Sequence, residues 1–198
     1  MTLTEEFHGP ARRERTLAVL ETKRLVLRAP CRKDAKELAR LINDRRIAIN
    51  TARIPHPYSV EDAEQFIVAV NGKGGEVAFV ITLDDALIGG CGVAHSDTGA
   101  ELGYWVGVPF WGQGFATESA RAVIDYAFGN LGHEVLEAGA RVSNPASRRV
   151  LEKCGFQWTG VRLARIRALN SAAPADRFRL DRRLWESLKT LGRTNRLA

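Results

Sequence analysis

Apolar residues recur along this chain in two rhythms that take turns from one end to the other. Runs rich in Val, Ile, Leu and Phe mark strands at residues 77–83 and 87–93, around Asp84-Asp85-Ala86, and predict a hairpin. Residues 22–28, 100–108 and 135–142 read as three further strands, and 161–168 and 177–180 as a last pair joined by a polar loop. Helical spacing fills the intervals. Leu38, Leu41 and Ile42 lie on one face of residues 34–43; Phe66, Ile67 and Val70 form a second stripe. Ala116, Ala120, Val123, Ile124 and Ala127 form a third, on a helix ending near Gly129 and Gly132.

The ends of these elements carry their own chemistry. Ser59 with Asp62 three residues on predicts a capping box, after a loop stiffened by Pro55 and Pro57. Asn144 followed by Pro145 predicts an N-cap and a first helical residue, and Gly155 with Phe156 a Schellman-type stop. Residues 71–75 break the second helix, and residues 96–99 are a turn. The order β-α-α-β-β-β-α-β-α-β-β is that of an α/β (α+β) domain with a mixed sheet.

Length and composition narrow the class. The 198 residues suit one domain at 21–189, preceded by a polar extension at 1–20 and followed by a basic tail at 190–198. No apolar run reaches the ~18 residues that span a bilayer, and the first residues are polar, so a cytoplasmic protein without membrane contact is expected. Cys31, Cys91 and Cys154 are odd in number and widely spaced, which argues for reduced thiols. His8, His56, His95 and His133 are scattered, and no Cys/His spacing suits a metal.

The net charge of +6 is unevenly distributed: residues 84–140 carry one Lys/Arg against eight Asp/Glu, residues 141–198 fourteen against four. A basic C-terminal third can be a solvated face or can attract phosphates, an acidic substrate or RNA. No basic stretch with interleaved aromatics suits RNA, so a nucleic-acid partner ranks last. The acidic middle would suit a cationic amine.

Within that acidic middle lies the most informative stretch, residues 103–118, Gly-Tyr-Trp-Val-Gly-Val-Pro-Phe-Trp-Gly-Gln-Gly-Phe-Ala-Thr-Glu. A strand ends near Pro109, Gly112 and Gly114 follow, and a helix starts at once. Such a loop points unpaired backbone N–H groups at one spot, where the helix dipole adds its own attraction for phosphate. It is not a Rossmann fingerprint, because Thr117 stands where the third glycine belongs, and no Gly-Lys-Ser/Thr makes it a Walker loop.

Residues 111–116 (Trp-Gly-Gln-Gly-Phe-Ala) instead resemble the acyl-CoA pyrophosphate loop of the GCN5-related N-acetyltransferase (GNAT) family. The family's first position is Gln or Arg, and here it is Trp111. The branch most resembled includes the ribosomal-protein N-terminal alanine/serine acetyltransferases. Four further stretches resemble it in order: residues 22–28, residues 54–64, residues 100–105 and residues 144–156, the last like the helix that lies along CoA.

The resemblance implies a mainly antiparallel twisted sheet, flanked by helices, with acyl-CoA entering where two central parallel strands splay. It implies an acetyl-CoA-dependent N-acetyltransferase acting on a primary amine, a protein N-terminus or a small molecule, by direct attack in a ternary complex. No metal is implied, and a homodimer is compatible. The alternative is a non-catalytic acyl-CoA-binding sensor module. Gly112, Gln113, Gly114, Phe115, Ala116 and Thr117 would hold the pyrophosphate, Asn144 and Ser147 the pantetheine end. Backbone N–H groups of Tyr104, Trp105 and Val106 would face the thioester oxygen. Glu101 would act as base, directly or through one water, or as amine ligand, and Ser147 as proton donor to the leaving thiolate. His56 and Tyr58 would stand at the acceptor mouth.

Overall fold

The computed structural model describes residues 17–72, 76–96 and 99–194. Most of the predicted N-terminal extension, the middle of the 71–75 break, the centre of the 96–99 turn and the end of the basic tail lie outside the described residues, as does His8.

Eight strands form one sheet: β1 (Leu20–Glu21), β2 (Val26–Arg28), β3 (Val77–Leu83), β4 (Ala86–Ser96), β5 (Gly99–Val106), β6 (Val135–Arg141), β7 (Gln157–Ile166) and β8 (Ser171–Asp181), in the spatial order β1-β2-β3-β4-β5-β6-β8-β7. Every pairing in it is antiparallel except β5 with β6. Among the described residues there are six α-helices: α1 (Ala35–Ile42), α2 (Arg45–Ala48), α3 (Val60–Asn71), α4 (Phe115–Gly129), α5 (Pro145–Lys153) and α6 (Arg182–Thr194).

The sheet is covered on both faces. Phe115, Ala120, Val123, Ile124, Ala127 and Phe128 of α4 pack with Leu151 and Phe156 onto Leu27, Phe79, Ile88, Leu102, Leu136 and Phe178. On the other face α1 and α3 pack Leu38, Leu41, Ala63 and Ile67 against Val80, Leu87 and Trp105. Alternate residues of β5 therefore look to opposite layers.

Local signals place the helix ends. Ser59 Oγ accepts from the Asp62 N–H at 3.1 Å and Asp62 Oδ2 from the Ser59 N–H at 2.9 Å, a complete capping box. Gly155 donates to Glu152 O at 3.0 Å and Phe156 to Leu151 O at 3.1 Å, the two bonds of a Schellman stop. The β3–β4 turn places Asp84 and Asp85 at φ 47° and 65°, as a two-residue hairpin requires.

Three expectations need correction, and one segment carried no expectation. Residues 22–28 are not one strand: Thr22 N donates to Leu25 O at 2.9 Å, closing a turn before β2. Phe66 leaves the predicted stripe and is 38% exposed, because the face of α3 that meets the sheet is Ala63, Ile67 and Val70. The polar loop between the last strands is instead strand, since β7 and β8 run on to a tight turn at Asn170. The segment around Trp185 is helical: α6 lays Trp185 against Phe128, ring centroids 5.1 Å apart, and its indole N–H donates to Asp125 at 2.7 Å.

Candidate functional site

β5 and β6 stay together for three residues only, Ala100 opposite Leu136, Glu101 opposite Glu137 and Leu102 opposite Ala138. Residues 103–106 then follow β4 while residues 139–141 follow β8, so the sheet opens into a fork. Backbone groups lining such a gap need partners, and an extended ligand arm can supply them. Beyond the fork's prongs lie the starts of α4 and α5.

The loop into α4 is fixed from several sides. Trp111 Nε1 donates to Val106 O at 2.6 Å, tying it to the end of β5. Gly112 and Gly114 have φ of 76° and 83°, left-handed values that a side chain strains. Glu118 N makes the first helical bond, to Gly114 O at 3.1 Å. The N–H groups of Phe115, Ala116 and Thr117 thus lie in the first turn, without intrahelical acceptors. A Cβ built on Gly112 meets nothing within 4 Å, so an anion has open approach.

Arg24 braces the same loop. Its Nη1 donates to Gln113 O at 3.0 Å, its Nε to Glu118 Oε2 at 2.7 Å, and its guanidinium lies 4.4 Å from the centroid of the Phe115 ring. Burial pushes the Glu118 carboxyl upward, but bonds from Thr22 and Arg24 outweigh it and hold the pKa below the usual carboxylate range. An open cleft of about 650 Å³ runs from Gly114 past Arg121 to Lys153.

On the α4–α5 side of the fork, Asn144 Oδ1 accepts from Ser147 N at 3.1 Å and caps α5. The cap holds Ser147 toward β5, where its Oγ lies 2.9 Å from the Tyr104 hydroxyl. Tyr104 also donates to Ser147 O at 3.1 Å. Burial raises the Tyr104 pKa far above its ordinary value, so this pair of hydroxyls stays protonated at neutral pH.

On the opposite face the floor of the fork is charged. Arg177 Nη1 donates to Glu101 Oε1 at 2.7 Å and its Nη2 to Glu137 Oε2 at 3.1 Å. Burial lowers the Arg177 pKa, yet the two carboxylates outweigh it and raise the value overall. Arg141 Nη1 donates to Ile49 O at 2.9 Å, and Arg167 N to Ala52 O at 3.0 Å, so the segment between α2 and α3 is roped to the ends of β6 and β7.

The sequence profile of the Acetyltransferase (GNAT) domain matches residues 24–157, two-thirds of this chain. The chain belongs to the GNAT acetyltransferase family. The uncharacterized N-acetyltransferase YoaA of Bacillus subtilis is 32% identical over 152 residues, 72% of this chain and 85% of that protein. The spermidine N-acetyltransferase of Vibrio cholerae, solved with CoA and spermine, shares the fold at TM-score 0.71 and 23% identity, over 83% of this chain and 99% of that one. A ribosomal L7/L12 alpha-N-protein acetyltransferase, solved with coenzyme A, does so at TM-score 0.71 and 17% identity, over 83% and 98%. Two acceptors as different as these on one fold show that the fold does not choose between them.

In this acetyltransferase the residues singled out from sequence fall into three groups. Those of the loop, with Asn144, Ser147 and Tyr104, gather around the fork and the helix start beyond it. Glu101 lies at the fork on the other face, but as a partner of Arg177 rather than an isolated buried carboxyl. His56 and Tyr58 belong to the loop before α3. Tyr58 is only 8% exposed and packs with α1 and α3, and burial pushes its phenol up to about 12. His56 is half-buried, with Nδ1 meeting no partner among the described residues. Arg24, Glu137, Arg141 and Arg177 went unread in the sequence. Arg24 and Glu118 are 94 residues apart and Arg177 and Glu101 76, so no local pattern couples them.

Proposed function

We propose that this protein is an acetyl-CoA-dependent N-acetyltransferase that transfers the acetyl group to a primary amine in a ternary complex. The observation that carries the reading is the fork between β5 and β6, with a left-handed glycine loop entering a helix at one prong and a hydrogen-bonded hydroxyl pair at the other. The first-turn N–H groups of α4 would take the pyrophosphate, and the open strand edges the pantetheine arm. Acetyl-CoA supplies the activated carbonyl.

The chain's own groups would handle protons and charge. Backbone N–H groups at residues 104–106 that look into the gap would stabilise negative charge on the carbonyl oxygen. Ser147, hydrogen-bonded to Tyr104, would give its proton to the departing thiolate and recover one through Tyr104. Glu101, on the other face, would receive the amine and take up the proton it loses, directly or through one water. Donor and acceptor of protons thus stand on opposite faces of the sheet, and the reacting atoms lie in the gap between them.

Calorimetry with acetyl-CoA, on wild type and on Gly114→Trp, tests the reading. Micromolar binding that vanishes in the variant is expected, followed by thiol release when amines are added. A folded wild type that fails to bind acetyl-CoA would sink it.

A further inference from the structure

Glu101 and Glu137 face each other across the parallel pairing of β5 and β6, so two carboxylates stand side by side on one face of the sheet. Like-charge repulsion opposes that arrangement. Arg177 bridges both, and it reaches Glu101 across Gly139, the β6 residue opposite it in register. A Cβ on Gly139 would lie 2.9 Å from Arg177 Nη1 and 3.5 Å from Glu101 Oε1, so the bridge uses the missing side chain. Arg141 follows Gly139 on the same face, about 7 Å along the strand. Its Nη1 holds Ile49 O, and its buried Nε–H meets no acceptor among the described residues.

The formal charges of these four side chains cancel. Glu101 is therefore no open anionic socket waiting for any cation. The side chains of Arg177, Glu101 and Glu137 remain 21, 30 and 24% accessible, so a solute can reach them. An amine arriving at Glu101 takes over part of the bonding of Arg177. A second cationic centre on that molecule would meet two guanidinium groups, whereas a carboxylate would give their N–H groups a replacement acceptor.

Resting on the acetyltransferase reading above, we propose that the acceptor is an amine carrying its own carboxylate a few bonds away, in the simplest case an α-amino acid. Its amine docks on Glu101 and its carboxylate on the guanidinium groups of Arg177 and Arg141. Arg177 is then the residue that sets specificity, turning a site that would favour polyamines into one that favours zwitterions.

Thiol release from acetyl-CoA is measured with L-methionine, L-phenylalanine and L-glutamate, with their three carboxamides, and with putrescine. Wild type, Arg177→Met and Arg141→Met are compared, each first titrated with acetyl-CoA by calorimetry. Wild type should prefer an acid over its amide by roughly tenfold or more in kcat/KM. Arg177→Met should erase most of that preference by raising KM for the acids and lowering it for the amides and putrescine. Mere loss of packing does not move the two classes in opposite directions. Arg141→Met should weaken the acids by a larger factor than the amides, because both lose the tie to Ile49 and only the acids lose a carboxylate contact.

A wild type that prefers putrescine or the amides overturns the proposal. So does an Arg177→Met enzyme that binds acetyl-CoA normally yet loses all acceptors equally, or a wild type that binds acetyl-CoA and acetylates none of the acids. Absence of acetyl-CoA binding is a separate result in the calorimeter; it fails the acetyltransferase reading itself and takes this proposal with it.

Discussion

On the α4–α5 face most groups at the fork come from two continuous stretches, residues 104–118 and 144–156, joined by the Tyr104–Ser147 pair and braced by Arg24. On the α1–α3 face the charged floor is gathered from β5, β6, β8 and the loop after α2, through bonds spanning 40 to 92 residues. The first face is built of caps, turns and a short loop, whose geometry each residue specifies with its neighbours. The second exists only once strand register is set. A cofactor common to a whole family can be held by the first kind of structure, and acceptor choice then falls to the second.

The largest effect expected from breaking this contrast is on the core that supports the first face. Phe128 is fully buried under Trp185, and Phe128→Ala should cost about 3–5 kcal/mol in urea unfolding, through lost contact and the cavity left behind. A cost below about 1 kcal/mol would mean that α6 does not hold α4 in place.

Next comes chemistry. If Ser147 and Tyr104 act as one proton relay, Ser147→Ala and Tyr104→Phe should each lower kcat by about 100-fold, and the double variant hardly further. Acetyl-CoA affinity should stay within a few-fold. Multiplicative losses in the double variant would show two independent roles.

On the other face, Asp34 joins α1 to β2: Arg28 donates to both its oxygens at 2.8 Å, and Cys31 N donates at 2.7 Å. Burial pushes the Asp34 carboxyl up, but these bonds pull it below its ordinary value. The unfolded chain therefore takes up the proton first, and the stabilisation is complete above the unfolded value and lost as pH falls through the folded one. Asp34→Asn should cost about 1–3 kcal/mol at pH 7, nearer the lower figure because Arg28 is a third exposed and screened by solvent. The difference from wild type should shrink toward pH 3, and thermal melts at several pH values would reveal it. A difference that does not change with pH would assign the effect to packing.

The smallest effect is expected at Tyr58. Its phenol is raised by burial to about 12, so its contribution is intact below the unfolded value near 10 and fades as pH climbs toward 12. Tyr58→Phe should change stability at pH 7 by less than about 1 kcal/mol and leave the acceptor KM within twofold, while making alkaline unfolding begin at higher pH. A large rise in KM would return Tyr58 from the core to the acceptor site.

Much of this protein was legible before folding wherever a few consecutive residues settle the matter. The box at Ser59, the cap at Asn144, the stop at Gly155 and the two left-handed glycines of the loop all follow from backbone groups that must be satisfied locally. The family resemblance read on residues 22–28, 54–64, 100–105, 111–116 and 144–156 lies largely in such stretches, and the profile match over residues 24–157 agrees with it.

The tertiary structure alone decided what Glu101 faces. Taken along the chain, residues 84–140 are acidic, which suggested an open site for a cation. Folding brings Arg177, from the basic C-terminal third, across Gly139 onto Glu101 and Glu137 and cancels the excess where it would have counted. It also turned a polar stretch into the start of β8 and the segment after that strand into α6, because partners in β7 and α4 outweighed weak local preference. Charge and register act through space, over distances that sequence separation does not measure. The sequence could therefore specify the cap, the loop and the stop, but not which cation stands beside which carboxylate.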